Sequence, residues 1–308
     1  MKSEEKLMLI YNTLSGEELS LKMKDFPADW VITADRQCFL KANVVVFYLS
    51  NLYRELEYDL EQPNGQLWVG WYMEAENEYP WFRLPEIREN FDLMMSYRQD
   101  ADVVYPFYRH EYVELLSQKV STDHKQNKCC MSASGRMHSG GRLQYLKELQ
   151  KHTGINLYGM FSNSKHLQSN REIDDRPNIF REYKFVISFE DAIDTDYVTE
   201  KFFDPLIAGS VPVYFGAPNI DDFAPGDNSF VNIRNYKNPK ALAQFINSCY
   251  EDEQLYAQFF EWKNRPLRQS FLQKAEVQKE HPFVRLCRIV DEKRMSQKHA
   301  DDADETIF

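Results

Sequence analysis

Two apolar runs flank one amphipathic segment in the stretch YKFVISFE (183–190), DTDYVTEKFFDPLIAG (194–209), SVPVYFG (210–216), and this arrangement constrains the fold more than any other feature. Neither run alternates with polar residues, so each strand is expected to be covered on both faces, as in a parallel sheet. Parallel neighbours cannot be joined by a tight turn. They need a crossover, and residues 197–208 supply a helix of suitable length. Upstream, LMLIYNTL (7–14), WVITAD (30–35), VVVFYLS (44–50) and QLWVGWYM (66–73) read as further buried strands. Leu143, Leu146 and Leu149, spaced along one helical face, lead into the strand INLYGM (155–160), while SFVNI (229–233) adds a strand and 239–273 reads as helical. Strands and helices alternate in both halves, which predicts two α/β sheets with a crevice between them.

At 308 residues the chain exceeds the size of a usual single core, so two domains are expected. We place them at 1–153 and 154–292, with 293–308 read as a disordered tail. The polar segment 161–180 is read as an irregular loop. A net charge of −11 argues against a phosphate-backbone binder, so no nucleic-acid partner is expected and any anionic ligand must be caught by a local pocket. No run of 18 apolar residues is present, hence no transmembrane segment. Five irregularly spaced cysteines read as reduced thiols. Together these favour a cytoplasmic bacterial protein, with a lumenal catalytic domain freed of its anchor as the alternative. Oligomeric state stays open.

The start of the helix after strand 183–190 carries the chemistry. First-turn amides and the helix dipole form an anion seat, and Lys201 adds a full charge at the carboxyl end of a strand, where α/β folds bind ligands. By spacing alone the same residues also describe an ordinary helix capped by Asp196 or Thr199, with Glu200 and Lys201 solvated.

Residues 183–225, YKFVISFEDAIDTDYVTEKFFDPLIAGSVPVYFGAPNIDDFAP, resemble the donor-binding signature of the α1,3/4-fucosyltransferases, glycosyltransferase family 10, with the YKF, FEN, DYVTEK, AG.VPV and G.P elements in order. MMSYRQDADVVYPFY (94–108), LWVGWYMEAENEYP (67–80) and GRLQYLKELQKHTGINLYG (141–159) resemble three further segments of that family. The resemblance implies a GT-B fold, two Rossmann-like domains facing a central cleft, and inverting transfer of L-fucose from GDP-fucose to a sugar hydroxyl of an oligosaccharide acceptor. The family's FEN reads Phe189-Glu190-Asp191 here, placing a carboxylate beside the expected diphosphate.

Inversion requires a base at the acceptor and charge stabilisation at the leaving diphosphate. By matching position Glu74 is the candidate base, with Glu76 and Glu78 as rivals close in sequence. A carboxylate beside Trp71, Tyr72 and Tyr79 is expected to be partly desolvated and therefore a stronger proton acceptor. For the leaving group the resemblance indicates Arg142, a two-pronged donor, and Lys201, a point charge. Arg136 and Arg171 are substitutes for Arg142. Glu200 is expected to accept from ribose hydroxyls, and Tyr197, Glu190 and Asp191 to complete the donor pocket. Trp71, Glu76 and Tyr79 are the candidate acceptor contacts; the aromatic cluster of 68–82 divides between core and sugar platform. Arg98 and the aspartates of SYRQDAD read as braces of the domain interface rather than substrate contacts.

DTD (194–196) and DAD (100–102) spell the short acidic motif that holds Mn²⁺ in other glycosyltransferases, but the pattern is weak in a chain with 48 acidic residues. We read DTD as a helix cap and expect no required metal or other cofactor. Two other readings stay open: a transferase of the same fold using another nucleotide sugar, and a non-catalytic carbohydrate-binding protein.

Overall fold

The computed structural model describes residues 5–12, 26–55, 60–133, 141–159 and 176–305. The chain forms two compact units, Met1–Pro106 with Glu280–Phe308, and Phe107–Lys279.

In the first unit six strands make one parallel sheet: β1 (Lys6–Ile10), β2 (Trp30–Thr33), β3 (Val44–Tyr48), β4 (Leu67–Tyr72), β5 (Leu93–Ser96) and β6 (Val103–Val104), in the order β2-β1-β3-β4-β5-β6. The unbroken apolar run VVVFY of β3 is buried at every position, which is why it shows no alternation. Helices α1 (Leu49–Glu55) and α2 (Pro85–Arg88) follow β3 and precede β5.

The second unit begins with α3 (Tyr112–Ser117). Its sheet consists of β7 (Gln126–Ala133), β8 (Ile155–Gly159), β9 (Tyr183–Phe189), β10 (Val211–Phe215) and β11 (Val231–Asn232), all parallel, in the order β11-β10-β9-β7-β8. Helices α4 (Arg142–Leu149), α5 (Arg176–Arg181), α6 (Glu200–Ile207), α7 (Pro239–Glu251), α8 (Glu253–Ala257) and α9 (Gln269–Val277) surround it. From β7 the chain moves to β8 on one side and returns as β9 on the other, so the strand order reverses between β7 and β9. Ligands bind at such a switch point in open α/β sheets.

The crossover expected between the two apolar runs is α6. It ends in a Schellman motif: Ser210 N–H donates to the Pro205 carbonyl at 2.8 Å and Gly209 N–H to that of Leu206 at 3.2 Å. Gly209 has φ +76°, and a Cβ there would lie 2.8 Å from Val120, so both backbone and packing require glycine.

Several expectations need correction. The boundary at 153/154 does not match the compact units, because β7 pairs with β8 and β9 and α4 follows β7 into the second sheet. The C-terminal residues do not stay with the second unit. α10 (Pro282–Glu305) sets Phe283, Leu286, Cys287 and Val290 into the core of the first sheet, and Trp30 Nε1 donates to Asp291 at 3.2 Å. Its helix continues through 293–305, where disorder was expected. The 239–273 segment divides into α7, α8, a 3-10 turn over Gln258–Asn264 and α9. Of the polar segment 161–180, residues 176–180 belong to α5 and the remainder lies outside the described residues. All five cysteines are free thiols, four of them buried.

Candidate active site

At the carboxyl edge of the second sheet, Glu190 follows β9 directly. It is almost fully buried, and its two oxygens accept from one residue: Thr199 N–H at 2.8 Å and Thr199 hydroxyl at 2.7 Å. Thr199 is the N-cap of α6, its hydroxyl accepting from Lys201 N–H at 3.3 Å. The structure thereby selects Thr199 over Asp196 as cap. It also changes the expected anion seat, since an internal carboxylate already occupies the end of the helix where the donors converge. Burial pushes the Glu190 carboxyl up to about 7, against the opposing pull of Lys201 and of the Thr199 hydrogen bonds.

Two expected cations join this acid. Arg142, the first residue of α4, is buried, and its guanidinium donates to the Glu190 carbonyl, which places it across the β7/β9 switch point. Lys201 Nζ donates to Asp191 Oδ2 at 3.0 Å. Burial lowers the Lys201 pKa, but the charges of Glu190, Glu200 and Asp191 outweigh it and the net shift is upward, so the side chain is an ammonium at neutral pH. Glu200 lies half-buried in the first turn of α6. Tyr197 is buried, edge-on to Phe107 with ring centroids 5.3 Å apart. Arg142, Glu190, Asp191, Tyr197, Glu200 and Lys201 therefore share one edge of one sheet. Arg136 and Arg171 lie outside the described residues.

DTD is built into the approach to this helix rather than free as a ligand pair. Asp196, at φ +65°, accepts from Asn219 Nδ2 at 2.8 Å and donates its N–H to Asn219 Oδ1 at 3.0 Å, while Asp194 Oδ1 accepts from Thr195 N–H at 2.8 Å. In DAD, Asp100 pairs with Arg98 at 3.1 Å and Asp102 accepts from Met94 N–H at 2.8 Å. Arg98 and Asp100 thus brace one turn of their own unit. Asn219, Tyr214 and Arg234, which accompany this edge, were not singled out from sequence. Tyr214 interacts with Glu190, and Arg234 donates to the Gly216 carbonyl at 2.8 Å. Tyr214 lies between the AG.VPV and G.P elements and Asn219 directly follows the second, which was the available signal for those two; Arg234 lies beyond both.

In the first unit, the three neighbouring glutamates prove to be different in kind. Glu76 is buried and committed: its carboxylate accepts from the Tyr72 hydroxyl and, at 2.7 Å, from Arg83 Nε, while its N–H donates to the Tyr97 hydroxyl at 3.0 Å. A carboxylate so neutralised serves structure, which argues against Glu76 as base or as acceptor contact. Glu78 is exposed on the surface. Glu74 is half-buried two residues beyond β4, and its carboxylate accepts from the Tyr48 hydroxyl at 2.8 Å and from the Ser50 hydroxyl. Tyr48 ends β3 and Ser50 is the second residue of α1, so β3 and β4, paired in parallel at Tyr48 and Trp71, present this triad at their carboxyl ends. Neither hydroxyl was singled out from sequence, although their position at a strand end was a usable signal.

Trp71 belongs to the core. Its ring stacks on Tyr105 at 5.7 Å and meets Tyr48 and Phe283 edge-on, and its buried Nε1 has no hydrogen-bond partner among the described residues. Tyr79 is half-buried against Phe82, with Trp81 beside it more exposed, at 38%. Of the three expected acceptor contacts, only Tyr79 therefore retains surface.

Two parallel α/β sheets, each with polar side chains gathered at the carboxyl ends of its strands, define a GT-B-type glycosyltransferase fold. Residues 3–108 match the fucosyltransferase N-terminal family, and residues 122–306 match glycosyltransferase family 10 (fucosyltransferase) C-term, so the chain belongs to glycosyltransferase family 10. It is 28% identical over 240 residues to alpha-(1,3)-fucosyltransferase B of Drosophila melanogaster, covering 72% of this chain and 54% of the relative. It is 29% identical over 244 residues to human 4-galactosyl-N-acetylglucosaminide 3-alpha-L-fucosyltransferase 9, covering 75% of this chain and 63% of the relative. A shorter stretch of 125 residues is 41% identical to GDP-fucose protein O-fucosyltransferase 3 of Xenopus laevis, 39% of this chain and 27% of the relative. The fold superposes on a crystal structure of an alpha1,3-fucosyltransferase with a TM-score of 0.60 at 16% identity, over 94% of this chain and 91% of the other. Among the described residues, no helix is long and apolar enough to cross a membrane.

Proposed function

We propose that the chain transfers L-fucose from GDP-fucose to a hydroxyl of an N-acetylglucosamine, or glucose, residue in an oligosaccharide, forming an α1,3 or α1,4 linkage with inversion. The observation that carries the reading is the gathering of Arg142, Glu190, Asp191 and Lys201 at the β7/β9 switch point. In this reading Lys201 and Arg142 balance the charge that develops on the diphosphate as it leaves. Glu200 accepts from ribose hydroxyls, and Tyr197 closes the pocket. Glu74 takes the proton of the attacking hydroxyl. The Tyr48 and Ser50 hydroxyls support that role by fixing the carboxylate before reaction, so that it does not reorient during it. None of these steps calls on a metal.

A protein hydroxyl is the second reading of the acceptor, favoured by the 41% identity to a protein O-fucosyltransferase. One assay tests both: release of GDP from GDP-fucose in the presence of N-acetyllactosamine, lacto-N-biose, lactose or small folded secreted domains. Turnover with a saccharide supports the first reading and turnover with a domain alone the second. GDP release with none of them, or only with another nucleotide sugar, refutes the proposal.

A further inference from the structure

Lys201, the ammonium assigned above to the donor's diphosphate, already holds an anion of the protein's own. Its Nζ lies 3.0 Å from Asp191 Oδ2, and both side chains retain surface, 18% and 30% exposed, so an incoming phosphate meets the pair together. The neighbouring acid, Glu190, is turned inward onto Thr199; Glu190 and Glu200 act on Lys201 through space, and Asp191 is the carboxylate that its ammonium hydrogen-bonds. A carboxylate at hydrogen-bond distance from an ammonium cancels most of its field, and what remains acts differently on ligands of different charge.

We infer that Asp191 is a specificity-determining residue of this seat: its carboxylate on Lys201 selects against the extra negative charge of free GDP relative to GDP-fucose, and so favours product release. The inference rests on the donor reading of the previous subsection. In the transfer, the bond between the fucose anomeric carbon and the β-phosphate oxygen breaks, and that oxygen keeps the electron pair. The acceptor oxygen forms the new bond to the anomeric carbon and gives its proton to the base. The β-phosphate thereby changes from an ester with one negative charge to a terminal phosphate carrying about −1.5 to −2. Lys201 attracts both forms and Asp191 repels both, but the repulsion grows with the added charge. A seat with Lys201 alone would hold the product more tightly than the donor and retain it after the reaction.

Calorimetric titration of wild type, Asp191→Asn and Asp191→Ser with GDP and with GDP-fucose, without acceptor and at two salt concentrations, tests this. The expected result is that both substitutions tighten GDP more than GDP-fucose. The ratio of the GDP to the GDP-fucose dissociation constant should fall by about fivefold at low salt, the scale of one unit charge pair about 4 Å apart in water, and by less at high salt. Equal tightening of both ligands, no change, or weaker binding in both variants overturns the inference, because the ion pair would then be structural or would open fully on binding. If wild type binds both ligands and the ratio does not move, this inference fails and the donor reading stands. Binding of neither ligand by wild type removes the donor reading and this inference with it.

Discussion

Replacing Glu190 by Gln should make the second unit's stability markedly less dependent on pH. The side chain is 1% exposed and both its oxygens are used on Thr199, at 2.8 and 2.7 Å. Burial raises its carboxyl from 4.5 to about 7, so the folded chain keeps a proton that the unfolded chain releases. For a group raised in this way the stabilisation is fully present below pH 4.5 and is lost as pH rises through about 7. At 1.36 kcal/mol per pH unit, the loss across that window is on the order of 3 kcal/mol. Glutamine has the same length and keeps both contacts, with Oε1 accepting from Thr199 N–H and Nε2 donating to the Thr199 hydroxyl. The variant should therefore match wild type within ~1 kcal/mol near pH 5 and exceed it by ~2–3 kcal/mol at pH 8. Because two units can unfold separately, the readout must report on one of them: urea titration followed by pulsed hydrogen exchange in peptides spanning 183–207. The variant-minus-wild-type difference removes the pH dependence of every other group. A difference that is flat from pH 4.5 to 8, or that favours wild type at pH 8, refutes the reasoning.

Glu74→Gln should lower kcat by about 10²–10⁴ with GDP affinity unchanged, since it removes only the basic oxygen. Glu76→Gln should cost stability rather than chemistry, visible as a lower thermal midpoint, because it weakens the Arg83 pair and the Tyr72 contact. If Glu76→Gln is the variant that abolishes turnover in a folded protein, the base has been misplaced. Lys201→Ala should weaken GDP binding by about 1.5–3 kcal/mol in calorimetry, the scale of a charge-assisted hydrogen bond. Arg142→Ala should lose as much and also melt earlier, because its guanidinium is buried on the Glu190 carbonyl. Activity should survive EDTA; loss of most turnover in the chelator with recovery on adding Mn²⁺ would show that the cations of the seat do not suffice.

Much of the architecture was legible because parallel strands buried on both faces leave unbroken apolar runs, as VVVFY and YKFVISF do. β7 escaped notice because its sequence, QNKCCMSA, begins polar and lacks branched residues, although it is an interior strand at which the order reverses. β5 and β6 were hidden in a segment read for its charges. The long helical segment 239–273 has helical composition throughout, but periodicity does not register the Asp252 cap that starts a new helix.

The sequence by itself determined the α/β class, the crossover helix α6 and the set of charged residues gathered around its start, because local periodicity, capping chemistry and a long motif are all written in consecutive residues. Only the tertiary structure distinguished the surroundings of Glu74, Glu76 and Glu78, since the partners Tyr48, Ser50, Tyr72 and Arg83 come from several elements and no local sequence pattern records which carboxylate they meet. It also decided the return of α10 to the first sheet, a contact between Trp30 and Asp291 that spans 261 residues and leaves no local trace. The same holds for the pairing of Asp191 with Lys201: ten positions apart, on a loop and a helix, their charges meet only because β9 and α6 are folded against one another. Hydrophobic patterning acts along the chain, whereas the protonation, burial and partnering of a polar side chain are set by whatever the fold brings within a few ångströms of it.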